Sequence, residues 1–173
     1  MELLTVKFSK SCNYKEYSQI LCSPGIPRNL FKELIQLNNN VFTDLDIFFK
    51  EDKSIKIGIT GTNRKSTTAF HLKQLFDNYE STSLVGNIGN TLLDNINTAN
   101  YSIIELSSFQ LDKMIENKLD YGILLNIEKD HLDYHGNFKS YKRTKEKILQ
   151  AKKSISNELD PYILFHWITN KKA

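Results

Sequence analysis

Apolar residues in this chain come in two kinds of run. Short unbroken runs recur at IKIGIT (55–60), TSLVG (82–86), YSIIEL (101–106) and YGILLNI (121–127). Runs of this length, bounded by polar residues, predict strands, the most apolar of them buried on both faces. Between them the apolar positions spread to helical spacing. Ala69, Leu72, Phe76 and Tyr79, with Phe70 and Leu75 beside them, predict an amphipathic helix over 65–79. SSFQLDKMIENK (107–118) and the stretch from about Phe138 to about Ala151 predict two more. Upstream, YSQIL (17–21) predicts a short strand. CSPGIP (22–27) predicts a turn, because proline sets φ and glycine permits a positive one. RNLFKELIQL (28–37) predicts a helix with Leu30, Phe31, Leu34, Ile35 and Leu37 on one face.

Strands that alternate with helices form βαβ units and hence a parallel sheet. The expected fold is α/β, a mostly parallel sheet flanked by helices. Ligands of such sheets sit at the carboxyl ends of the strands. The polar clusters Gly61–Thr67, Gly86–Gly89, Glu105–Ser108 and Asn126–His131 each follow a predicted strand. One rim of one sheet is expected to collect all four.

Composition narrows the class without naming a chemistry. At 173 residues, 40% apolar and 25% charged, the chain suits a soluble globular domain with a real core. A net charge of +3 is too small to argue for nucleic acid or an anionic membrane, and neither is expected as a partner. Charge clusters only at 142–153, KRTKEKILQAKK, with six Lys or Arg against one Glu. Cys12 and Cys22 lack metal-ligand spacing and read as unremarkable thiols of a reducing compartment. No stretch of signal-peptide or membrane-span length is apparent, so a cytoplasmic location is expected.

GITGTNRKSTT (58–68) carries the strongest chemical signal. A glycine-bearing loop between a strand and a helix makes an anion cradle of backbone N–H groups. Lys65 would reach the β- and γ-phosphates of a nucleotide, and the hydroxyl of Ser66 or Thr67 would ligate Mg²⁺. Gly61, Thr62, Asn63 and Arg64 complete the loop. Arg64 stands where such loops carry glycine. It adds bulk and backbone strain, and it also adds a positive charge beside an anion. Glu105 ends a buried strand, where a carboxylate is costly unless paired, solvated or bound to metal. Asp130, His131, Asp133 and His135 cluster after YGILLNI, and carboxylates with imidazole are reasonable Mg²⁺ neighbours. His71 and His166 have no chemistry around them. Lys145 reads from spacing alone as one cation of a solvated helix face.

Taken together, CSPGIP, ITGTNRKSTT, GNIGN, IIELSSFQL and LNIEKDHLDYHGNFKSYKRTKEKI resemble, in order, the Mur ligases, the ATP-dependent amide-bond ligases of peptidoglycan precursor synthesis. The form ELSSFQL is most similar to the member that adds D-glutamate to UDP-N-acetylmuramoyl-L-alanine. The resemblance implies ATP and Mg²⁺ as cofactors and those two molecules as substrate partners. It implies Lys65 on the ATP phosphates, with Ser66 and Thr67 at the phosphates and Mg²⁺. It implies Glu105 and His131 as metal ligands, and Lys145 as a carbamylated lysine at a second Mg²⁺. Asn87, Ser107, Ser108 and Gln110 would lie near the muramoyl substrate, and Asp130 near the incoming amino acid. The implied reaction passes through an acyl-phosphate.

The resemblance covers about Ser23 to about Ile148. Residues 1–50 are expected as a remnant of an N-terminal substrate-binding domain, 51–153 as a partial central ATP-binding domain, and 154–173 as an unmatched tail. The central fold is expected to be incomplete, and activity to need a second chain that supplies missing domains. A nucleotide- or UDP-sugar-binding fragment and a remnant without function are the alternatives. Tyr134 stands where an arginine is common after DHLD.

Overall fold

The computed structural model describes residues 13–156, 165 and 167–170. Cys12, His166 and most of the expected tail lie outside the described residues.

Two parallel sheets form. The smaller pairs β1 (Ile20–Cys22) with β2 (Val41–Thr43), and α1 (Arg28–Leu37) connects them. Phe31 and Leu34 of α1 close a small core with Cys22 and Val41. Ile35, expected on the same face, is exposed.

The larger sheet has five parallel strands: β3 (Ile55–Thr60), β4 (Thr82–Gly86), β5 (Tyr101–Glu105), β6 (Tyr121–Leu124) and β7 (Lys153–Ser156). Their order across the sheet is β4-β5-β3-β6-β7, so β3 is central. β5 and β6 are buried at every position, as their unbroken apolar runs require. Successive residues of these strands serve opposite faces. Ile57, Ile59, Ile103 and Ile123 pack with Ala69, Leu72 and Phe76 of α3 (Lys65–Phe76). Ile104 and Leu124 point the other way, to Leu45, Phe48 and Phe49 of α2 (Asp44–Glu51) and Leu111 of α4 (Ser108–Lys113). Each such side chain, fully buried, contributes about 1.5–3 kcal/mol. The result is a three-layer α/β/α sandwich.

Several elements depart from the sequence-based expectation. β2 and α2 were not predicted; Thr43 starts α2 with a capping box shared with Asp46. α3 stops at Phe76 because the Asn78 amide donates to the carbonyl of Gln74, and Tyr79 is left 73% exposed. α4 ends at Lys113, since Met114 leaves helical geometry and turns into the core. The last helix is α6 (Phe138–Glu146), and it tightens into a 3₁₀ turn over Lys147–Gln150. Part of the expected tail lies among the described residues. Residues 154–156 belong to β7, paired with β6, and Phe165 and Ile168 join the core beside α3.

A buried polar cluster anchors the amino end of β3, opposite the carboxyl ends of the strands. Lys56 Nζ lies 3.1 Å from the Asp52 carboxylate and donates to the carbonyls of Asp52 and Ser54. Asp52 also accepts from Ser54 and from the Asn97 N–H.

Candidate active site

All five strands of the larger sheet run parallel, so their carboxyl ends share one rim. The loop after β3, Asn87 after β4, Ser107 and Ser108 after β5, and Asn126–His131 after β6 all leave from it.

The loop Gly61–Arg64 is tied down from the β6 side. Asn126 Oδ1 accepts from the N–H groups of Thr62 (3.1 Å) and Asn63 (2.8 Å), and its amide donates to the Asn63 carbonyl. Gly61 passes so close that an added Cβ would meet Leu125 Cβ at 3.1 Å and the Asn63 carbonyl at 3.2 Å. Arg64 adopts φ 64°, ψ 10°, the left-handed conformation that favours glycine. The backbone therefore has the shape of a glycine-bearing loop with a side chain added. Lys65 opens α3 and folds back so that Nζ donates to the Thr62 carbonyl at 2.9 Å. Ser66 and Thr67 stand exposed in the first turn.

Lys145 is the largest surprise. It reads as a solvated cation, yet it is only 2% exposed. Its Nζ donates to the Gly61 carbonyl at 2.7 Å and to Thr60 Oγ1 at 3.3 Å. Burial, aided by the nearby Lys65 charge, draws its pKa down to about 7. Tyr141, one helical turn earlier, lies beneath the ammonium and donates to or accepts from Thr62 Oγ1 at 3.0 Å. The same Thr62 hydroxyl accepts from the Glu128 N–H. Tyr141, Asn126 and Glu128 were not singled out as site residues. The i, i+4 relation of Tyr141 to Lys145 was the available signal.

Glu105 is 1% exposed. Asn87 covers one oxygen, donating from Nδ2 to Oε1 at 2.9 Å, while Oε2 has no partner among the described residues. A bare buried carboxylate oxygen is costly, and a cation is the chemistry that relieves it. Among the described residues no three His, Cys, Asp or Glu side chains stand close enough to hold a metal by themselves. Mg²⁺ is commonly bound through one or two carboxylates with substrate phosphates and water completing the shell. A lone buried carboxylate near Lys145 fits that pattern.

His131 starts a short helix, α5 (Leu132–His135), also from the left-handed region at φ 47°. Its ring stacks edge-on against Phe109, and Nε2 lies 3.4 Å from Asp130 Oδ2. His135 is buried among Phe109, Tyr134 and Tyr141 with neither ring nitrogen paired among the described residues. Burial pushes it below the ordinary histidine range, so it acts as an aromatic filler. Ser107 caps α4 through a capping box with Gln110, which keeps both side chains on each other. Ser108 Oγ is buried without a partner among the described residues.

The sequence over residues 59–173 matches the profile described as the Mur ligase middle domain. The chain belongs to the Mur ligase family. That match extends through the segment expected to be unmatched. A UDP-N-acetylmuramoylalanine--D-glutamate ligase of Francisella tularensis subsp. novicida is 40% identical over 139 residues, covering 75% of this chain and 33% of the relative. The protein of the same name from Francisella philomiragia is 34% identical over 152 residues, covering 84% and 37%. This Mur ligase chain thus spans about a third of the length of those relatives. Among solved structures, the MurF ligase from Thermotoga maritima in complex with ADP superposes with a TM-score of 0.52. It is 19% identical, and the superposition covers 88% of this chain and 46% of that one, a likeness of fold. No helix of the described residues is long and apolar enough to cross a membrane.

Proposed function

We propose that this chain carries the phosphate-binding half of an ATP-dependent ligase that adds D-glutamate to UDP-N-acetylmuramoyl-L-alanine. The observation that carries the reading is the buried pair beside the loop: Glu105 with one bare oxygen, and Lys145 with an amine whose pKa falls to about 7. Neither arrangement has a structural need that hydrocarbon would not meet better. The names of the relatives support the substrates, and the ADP complex of the Thermotoga maritima ligase supports the nucleotide.

In this reading the loop Gly61–Arg64 and the first turn of α3 hold the β- and γ-phosphates, with Lys65 swinging from the Thr62 carbonyl onto them. Glu105, His131 and the hydroxyls of Ser66 and Thr67 would hold Mg²⁺, which supplies charge neutralisation on the transferring phosphoryl group. Lys145, with its pKa drawn down to about 7, has a substantial neutral fraction near pH 7, whose free lone pair can take up carbon dioxide. The N–C bond forms, a proton is released, and the side chain becomes an anion suited to a second Mg²⁺. The substrate carboxylate attacks the γ-phosphorus, ADP leaves, and the D-glutamate amine displaces phosphate from the acyl-phosphate. Asn87, Ser107, Ser108, Gln110 and Asp130 would orient the two carboxyl-bearing substrates from the same rim.

Calorimetry with Mg-ATP tests the loop. The native chain is expected to bind, and Lys65→Ala to reduce affinity at least about tenfold through loss of a charge-assisted contact. Unchanged affinity in Lys65→Ala would sink the assignment. Phosphate release that requires both UDP-N-acetylmuramoyl-L-alanine and D-glutamate separates a ligase from a nucleotide-binding module. The module binds Mg-ATP without that release.

A further inference from the structure

A second basic site lies on the far side of α6. Tyr141 and Lys145 occupy the helix face turned to the phosphate loop; Lys139 and Arg143, two residues before each of these respectively, point roughly the opposite way. There they form one wall of a cleft of about 800 Å³. The other wall is α1, with Arg28, Phe31, Lys32 and Ile35. This volume lies in the range of small-molecule sites, about 300–1,000 Å³.

The charges in the cleft are unbalanced. Asp112 is taken by Arg28, whose guanidinium lies 2.8 Å from Oδ1. Glu146 is held by Lys142 at 3.8 Å. Lys147 spends its ammonium on the carbonyls of Leu111 and Asp112. Lys32, Lys139 and Arg143 remain, with no ion pair or side-chain hydrogen bond among the described residues. Cations on facing walls repel, and an anion between them turns that repulsion into attraction. Thr144, nearly buried, also lines the cleft. Phe31 and the exposed Ile35 add an apolar flank. Arginine and lysine around a hydroxyl suit phosphate oxygens, and the apolar flank suits a ring.

We propose that this cleft binds a phosphorylated small molecule, at a site separate from the phosphate loop. The shared chemistry is a diphosphate, free or borne by a nucleotide.

The test is a Mg²⁺-free NMR titration of the full chain with inorganic pyrophosphate, followed by ADP. Amide shifts are expected at Lys32 and over 139–144, with Lys139→Gln/Arg143→Gln weakening that response at least tenfold while the 61–67 shifts persist. Thermal melting checks that the double variant folds; Lys32→Gln alone, with an expected severalfold loss, serves if it does not. Tighter binding of ADP than of pyrophosphate at 139–144 identifies a nucleotide, and equal binding a free diphosphate. Shifts confined to 61–67, an unchanged response in the variants, or equal competition by sulfate at the same ionic strength would overturn the proposal. The outcome does not depend on the phosphate-loop assignment, because the two sites report through different amides.

Discussion

At the scale of single residues, Arg64 and Lys145 pull the sequence and the structure apart in opposite ways. Arg64 was visible as an anomaly, and its left-handed φ of 64° gives the anomaly a physical form. A non-glycine residue there costs about 1–3 kcal/mol. Arg64→Gly removes that strain and a bulky side chain at the mouth of the loop. It is expected to tighten Mg-ATP binding in calorimetry; equal or weaker binding would show that the arginine's charge outweighs its strain. From spacing alone Lys145 read as a surface cation, because helical periodicity cannot tell which of several lysines turns inward; only the family resemblance marked it out. Its folded pKa of about 7 lies below the ordinary lysine value. Between those values the unfolded chain binds a proton that the folded chain does not, so stability rises with pH across the window from about 7 to about 10. Lys145→Gln is expected to be the more stable form at and below pH 7. It is also expected to lack a rise of up to about 1.4 kcal/mol per pH unit. Denaturation midpoints measured from pH 6 to 10 on both proteins check this; parallel curves would mean that the amine is not buried as described.

At the scale of elements, the strands of the large sheet were legible where burial on both faces forces an unbroken apolar run. β3, β4, β5 and β6 were all expected at or near their observed positions. β7 was not, because KSIS is an exposed edge with one apolar residue, and its pairing with β6 comes from topology. β2 and α2 hid in VFTDLDIFFKE, although Thr43 and Asp46 spell a capping signal three residues apart. The approach of the 3₁₀ turn to β6 was equally hidden. Gly122 lies so near that a Cβ there would meet the Ile148 carbonyl at 2.1 Å and Ala151 Cβ at 3.0 Å. That contact sets how α6 enters and therefore where Lys145 lands. Gly122→Ala is expected to cost about 1–3 kcal/mol by overpacking, read as a lower denaturation midpoint. A midpoint within error of the native one would show that the turn is free to shift.

At the scale of the whole molecule, the question is what holds the α1 unit against the large sheet. The tie is polar and buried. Lys113 Nζ donates to the Pro24 carbonyl at 2.6 Å and to the Tyr134 hydroxyl at 2.7 Å, and that hydroxyl donates to Asp112 at 3.0 Å. Asp112 in turn receives Arg28 at the start of α1. Burial and the Asp112 charge raise the Tyr134 pKa, so the phenol stays protonated through neutral and mildly alkaline pH. Tyr134 had read as a departure from the family pattern, and nothing in one sequence could show that Lys113, twenty-odd positions earlier, answers it. Tyr134→Phe removes one hydrogen bond from Lys113 and one from Asp112, leaving Lys113 on the Pro24 carbonyl and Asp112 on Arg28. It is expected to cost about 1–3 kcal/mol and to speed amide exchange in 24–37 ahead of the large sheet. Uniform exchange across the chain would mean that the network does not join the two parts.

The hold of Asn126 on the loop after β3 has a thermodynamic consequence if that loop takes the phosphates proposed above. With the Thr62 and Asn63 amides already turned inward to its side chain, the loop has its shape before any anion arrives. Anion capture then orders little backbone. Its signature should be a modest entropy loss and a fast bimolecular rate, the behaviour of a socket and not of a wrapping strand.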